Sequence, residues 1–205
     1  MEVLAWGGRM ILSFIDTETT GLDLLDHDVI DFAALQVYWH KESNTFTHIS
    51  QYSTKIKTDN MDRASPQALK VNGYTEGEWI AAPYSFEVAS SISQLINRSA
   101  IIVGQNVIFD QRFINKMFDS CNRERPKWPF YWDTKHMADQ LVRDKKLKKS
   151  SLDYLCKHFK IKNVGRPHTA LCDVLRTFEL FKVLSTQAEI AQFDFRNPYD
   201  PYKDR

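Results

Sequence analysis

The spacing of apolar and polar positions changes character along this chain. Residues 10–16 (MILSFID) and 29–39 (VIDFAALQVYW) read as strands. Residues 45–56 (TFTHISQYSTKI) alternate apolar and polar positions, as a half-exposed strand does. With "HKESN" as the turn before the third, these three predict an antiparallel meander. Helical spacing then takes over. "SPQALKVNG" has proline near its start and Asn-Gly at its end. In "YSFEVASSISQLIN" the residues Phe86, Ala89, Ile92 (or Ser93) and Ile96 keep a helical period, and Phe113, Ile114, Met117 and Phe118 keep one in "FDQRFINKMF". "AIIVGQN" (100–106) is a short apolar strand and "PFYWDTK" (129–135) a strand end. "HMADQLVRD", "SLDYLCKHF" and "TALCDVLRTFELFKVLS" predict three further helices. A meander followed by strands alternating with helices predicts an α/β domain with a mixed central sheet flanked by helices.

Composition narrows this little. Of 205 residues, 43% are hydrophobic and 26% charged, and the formal net charge is +1, so any hold on a polyanion must come from a local basic patch. The three cysteines, Cys121, Cys156 and Cys172, have neither the number nor the spacing of a disulfide framework or zinc knuckle, and read as reduced thiols of a cytoplasmic protein. No run suits a membrane span or a signal peptide. The expected organisation is an extension over residues 1–9, with Met10 as an alternative start, one domain over 10–186, and an irregular tail over 187–205.

Chemistry enters with the acids. Residues i and i+2 of a strand share a face, so Asp16 and Glu18 point the same way at the end of the first strand. Adjacent carboxylates repel, and burying them costs free energy. A solvated pair at a strand end answers this without function. A divalent cation answers it with one, and oxygen-only ligands suit Mg²⁺ or Mn²⁺. Asp110 opens a helix on its apolar stripe, with Phe113, Ile114 and Met117 beside it, and Asp173 shares a stripe with Thr177, Leu180 and Leu184. Each is either a partner of its helix N-terminus or a ligand. Four such acids can hold two ions about 4 Å apart, the arrangement that activates water and stabilises the leaving oxygen of a phosphodiester. His168, held outside the last helix by Pro167, is the candidate general base.

Three segments in this order, "FIDTETTGL", "VGQNVIFD" and "RPHTALCD", resemble the motifs of the DEDDh 3′→5′ exonucleases, the group that includes the proofreading subunit of bacterial DNA polymerase, RNase T and oligoribonuclease. The likeness runs over about residues 10–185 and includes "LKVNGYTEGEWIAAPYSFEV", "WDTKHMA" and "SLDYLCKHFKI". It implies an RNase H-like exonuclease fold and release of 5′-mononucleotides from a 3′ end. In this likeness Asp16 bridges two metal ions, Glu18 and Asp173 help hold the ion nearest the attacking water, Asp110 serves the second ion through water, and His168 is the base. Thr19 and its backbone meet the terminal 3′ hydroxyl, Leu22 wedges against the last base, and Asn106 positions the loop or the substrate. One departure stands out. Where relatives often have His-Asn, this chain has Gln105-Asn106, and glutamine hydrogen-bonds but does not titrate.

A basic run, "VRDKKLKKS" (142–150), with Lys157, Lys160, Lys162 and Arg166 beyond it, leads toward His168 and reads as a phosphate-tracking surface, a solvated helix end being the alternative. Trp128, Tyr131 and Trp132 are stacking candidates, with core packing favoured for at least two of them. The expected substrate is single-stranded DNA or a frayed 3′ end. RNA is the alternative, and a module docking on a polymerase or a sliding clamp is a third reading, to which "AQFDF" in the tail gives a weak match. A monomer is expected.

Overall fold

The computed structural model describes residues 9–186 except 41 and 163. The extension, the tail and its "AQFDF" segment lie outside the described residues.

Five strands form one sheet: β1 (Arg9–Thr19), β2 (Val29–His40), β3 (Thr45–Lys55), β4 (Ile101–Gly104) and β5 (Phe130–Asp133). Their order is β3-β2-β1-β4-β5. The β1–β2 and β2–β3 pairs are antiparallel, whereas β1–β4 and β4–β5 are parallel. The helices are α1 (Pro66–Asn72), α2 (Glu76–Trp79), α3 (Ser85–Asn97), α4 (Val107–Ser120), α5 (Thr134–Arg143), α6 (Leu152–His158) and α7 (Ala170–Leu184). This is the mixed, helix-flanked sheet that the periodicity predicts, and its fold is RNase H-like. Among the described residues no helix is long and apolar enough to cross a membrane.

Alternation along β1 sends residues to opposite faces. Leu12 and Phe14 join a core with Ala33, Leu35, Val37 and Trp39 beneath α5 and α7, where Phe14 meets Phe178 and Phe181 edge-on at 5.1 and 5.5 Å. Ile15 belongs to the opposite core with Phe32, Ala34 and residues of α3 and α4. The site inherits this parity: Asp16 and Glu18 continue the Leu12–Phe14 row toward α7, and Thr17 faces α4.

Several local expectations need correction. β1 does not stop at Asp16. It stays paired with β2 through Glu18↔Asp31 and, after a bulge, Thr19↔Val29, so both acids stand on a hydrogen-bonded strand. Phe86 is 53% exposed and stacks on Tyr84, while Val88, Ala89, Ile92 and Ile96 form the buried stripe of α3. Trp128, Tyr131 and Trp132 are all buried, which agrees with core packing for at least two of them and leaves none to present a ring face to a base. Trp132 instead stacks on Phe181 and meets Trp39 edge-on. The one-turn α2, too short to show a period, has no counterpart among the predicted helices. α1 matches its signals: Ser65 accepts the Ala68 amide hydrogen, and Gly73 closes the helix at φ 67°. A Cβ at Gly73 would be strained at this φ and would displace the Arg166 guanidinium that packs over it.

Candidate active site

The site forms where the C-terminal part of β1 meets the first turns of α4 and α7. Carboxylate oxygens of Asp16, Glu18 and Asp173 lie within 4.8 Å of one another. Asp173 is delivered by the buried face of α7, which also carries Ala170, Thr177, Leu180 and Leu184. Asp110, in the first turn of α4, is buried and accepts both the backbone N–H and the hydroxyl of Thr17, each at 2.8 Å. It therefore stands beside the trio, fixed from the opposite face of β1, and its charge acts on Asp16.

These acids sit in an electrostatic well of their own making. Asp16 is half-buried, and burial together with the charges of Asp110, Asp173, Glu18 and Asp31 holds its carboxyl well above the ordinary range. Burial, then the charges of Asp173, Asp31 and Asp110, push Glu18 to about 8. Burial lifts Asp110 to about 7 against the pull of the two Thr17 hydrogen bonds. Asp173 is raised by burial, which outweighs its ion pair with Arg176. Crowded carboxylates of this kind fit a hard divalent cation, whose charge removes the repulsion and whose ligands are oxygens.

Asp31 is a fifth acid that sequence reasoning missed. It faces Glu18 across β1–β2 and accepts the Ala170 amide hydrogen at 3.4 Å, so it anchors the start of α7. Burial lifts it to about 6. Its signal was available: an acid inside "VIDFAAL" is as anomalous as one inside "SFIDTE". Asn72, at the end of α1, is also buried. It donates to the Thr19 carbonyl at 3.0 Å and lowers the Glu18 pKa against the stronger upward influences. Its Oδ1 has no partner among the described residues.

The other predicted residues fall around this cluster. His168 precedes the helix, as Pro167 implies, with a left-handed backbone at φ 60° and Nε2 3.8 Å from Asp153 Oδ2. Thr19 is buried, and its hydroxyl donates to the Gly21 carbonyl at 2.6 Å, so the side chain shapes the turn. A Cβ on Gly21 would lie 2.5 Å from the His27 ring, so a larger residue there would have to move that ring. Leu22 stands 83% exposed on the loop that follows. Lys116 of α4 pins that loop through the His27 carbonyl at 2.6 Å and Asp28 at 2.9 Å. Asn106 caps α4 at φ 68°, its side chain exposed and its N–H donating to Asp133. Gln105 turns inward: it accepts from Thr134 and donates to the Ser150 carbonyl at 2.7 Å. The glutamine at this position thus ties the active-site turn to the end of the basic segment. Within that segment buried Leu147 anchors the loop, and Lys145, Lys146, Lys148 and Lys149 are exposed around it.

The family model described as "Exonuclease" matches residues 13–181. DNA polymerase III subunit epsilon of Buchnera aphidicola subsp. Baizongia pistaciae is 28% identical over 190 residues, 88% of this chain and 73% of the relative. The epsilon subunit of Rickettsia typhi is 30% identical over 178 residues, 83% of this chain and 72% of the relative. Among solved structures, Escherichia coli exonuclease I in complex with a dT13 oligonucleotide superposes with a TM-score of 0.75 at 21% identity. That match covers 91% of this chain and 43% of exonuclease I, a likeness of fold in which this chain spans less than half of the larger protein.

Proposed function

The chain belongs to the DnaQ-like DEDDh family of 3′→5′ exonucleases, and from that premise we propose that it hydrolyses single-stranded DNA from the 3′ end, releasing 5′-mononucleotides. The observation that carries this reading is the convergence of Asp16, Glu18 and Asp173 within 4.8 Å, with Asp110 fixed beside them through Thr17. In it, Asp16, Glu18, Asp173 and Asp110 hold two Mg²⁺ or Mn²⁺ ions. Bound there, such ions lower the pKa of the attacking water and stabilise the leaving oxygen.

The chain's own groups do the rest. His168 is the base, taking the proton of the attacking water. Its place outside α7 lets the ring approach from the loop side. Leu22 is presented on a pinned loop and presses on the terminal base, while the backbone of Thr19, fixed by Asn72, meets the 3′ hydroxyl. Asn106 presents an exposed amide at the head of α4 for the substrate backbone. The oligonucleotide on exonuclease I supports DNA as the substrate. The epsilon relatives are named as polymerase subunits, which supports a polymerase as protein partner.

The test is a competition in one tube between single-stranded DNA and RNA of the same sequence, with products identified by mass spectrometry. DNA shortening from its 3′ end with release of 5′-mononucleotides is the expected result. Faster loss of the RNA would transfer the reading to an RNA exonuclease.

The basic loop adds a quantitative expectation. Neutralising Lys145, Lys146, Lys148 and Lys149 together should weaken DNA binding and reduce the slope of log affinity against log salt by about 0.7 for each phosphate that the loop no longer neutralises. An unchanged slope in a binding titration over a salt series would remove these lysines from the substrate path.

A further inference from the structure

A second buried charge sits against the acid cluster. Arg176 lies one turn beyond Asp173 on α7, with its side chain 3% exposed, and a guanidinium so enclosed requires partners. Nη1 donates to Asp173 Oδ1 at 2.8 Å, and Nη2 donates to Asp153 Oδ1 on α6. The other oxygen of Asp153 is the one 3.8 Å from His168 Nε2. Burial opposes the charge, but the two carboxylates hold Arg176 protonated above its ordinary range. Its Nε has no acceptor among the described residues, and the Cys156 thiol is a further polar neighbour, so the fork that bridges the two acids carries its charged contacts.

We infer that Arg176 is a positioning residue that serves both halves of the proposed chemistry. Toward the metals, it engages one oxygen of Asp173 and leaves the other for an ion, so the carboxylate is held in a single orientation. Toward the base, it fixes Asp153, whose other oxygen stands at ion-pair distance from His168 and would stabilise the imidazolium formed when the ring takes the proton. The planar fork spans two carboxylates on two helices, which a lysine ammonium cannot do with the same geometry. The i+3 spacing puts Arg176 on the same side of α7 as Asp173, but its second partner, Asp153, is 23 residues away and only the packing of α6 on α7 reveals it.

This inference rests on the two-metal reading and makes two separable demands. In a titration of metal-free protein with Mn²⁺ followed by electron paramagnetic resonance, Arg176→Met should bind Mn²⁺ about tenfold more weakly than the unaltered chain. At saturating Mn²⁺, its kcat on single-stranded DNA should fall by about tenfold or more while KM stays within about twofold. Asp153→Ala, at a largely exposed side chain, leaves the Asp173–Arg176 pair in place. It should therefore keep Mn²⁺ affinity within about twofold and still lose kcat. Should Arg176→Met fail to fold, Arg176→Lys keeps the buried charge and should reproduce the kcat loss of Asp153→Ala. Unaltered Mn²⁺ affinity and kcat in a folded Arg176 variant, or unchanged kcat in Asp153→Ala, would overturn the inference. If the unaltered chain cleaves no nucleic acid, the proposed function fails, while the Mn²⁺ titration still decides whether Arg176 sets Asp173.

Discussion

Asp16→Asn is expected to lower kcat by about a thousandfold or more while leaving the metal-free protein more stable at alkaline pH. The two effects share one cause. Asp16 is the acid on which the charges of Asp110, Asp173, Glu18 and Asp31 all converge, so its carboxylate is the group best placed to share two ions and the most costly to ionise without them. Asparagine keeps the shape, removes the charge and one anionic ligand, and relieves its neighbours. Glu18 at about 8, Asp110 at about 7 and Asp31 at about 6 are all raised above the values of the unfolded chain. The native state therefore holds protons that the unfolded chain has already released. The contribution of these acids to metal-free stability is greatest below about pH 4, where both states are protonated, and is lost as pH rises through the window up to about 8. Thermal unfolding in EDTA should show the unaltered protein losing stability across that window. Asp16→Asn should lose less, and Mg²⁺ should restore stability to the unaltered protein alone. A variant that kept its activity, or an unaltered protein whose metal-free stability rose with pH, would contradict the shared cause.

The second large effect is expected at His168. His168→Ala should reduce kcat by about 10²–10⁴-fold, the usual contribution of a positioned general base. The affinity for single-stranded DNA should change little, because the basic loop and the Leu22 turn are separate elements. The side chain is half-buried on an irregular entry to α7 and its charged neighbour is Asp153, so its removal takes nothing from the core. Fluorescence anisotropy with labelled DNA, measured beside single-turnover cleavage at saturating metal, separates the two quantities. A large loss of affinity with unchanged turnover would make His168 a substrate contact and leave the base to be found elsewhere.

Much of this arrangement was legible in the sequence, for reasons that differ by residue. Period-2 parity put Asp16 and Glu18 on one face, and the helical stripe of α7 put Asp173 beside Leu180, so the anomaly of each acid could be read locally. Pro167 marked His168 as lying outside the helix, and the structure starts α7 at Ala170. The connections between segments could not be read this way. Thr17 and Asp110 are 93 residues apart, and only the packing of α4 against β1 reveals that one acid is fixed by the neighbour of another. Asp31 was lost in an apolar run that the eye accepts as core. Arg176 did not stand out, because its tie to Asp153 on α6 spans 23 residues and shows only in the packing. The aromatics followed the favoured reading: core packing was expected for at least two of Trp128, Tyr131 and Trp132, and all three are buried.

The most direct test of the central claim is a time course on 5′-labelled single-stranded DNA, run with Mg²⁺, with EDTA, and with Asp16→Asn in Mg²⁺. The expected result is a ladder that shortens from the 3′ end in the first reaction and intact DNA in the other two. Cleavage that persisted in EDTA or in the variant, or no cleavage by folded protein with Mg²⁺ or Mn²⁺, would contradict the claim that these acids hold metal for hydrolysis.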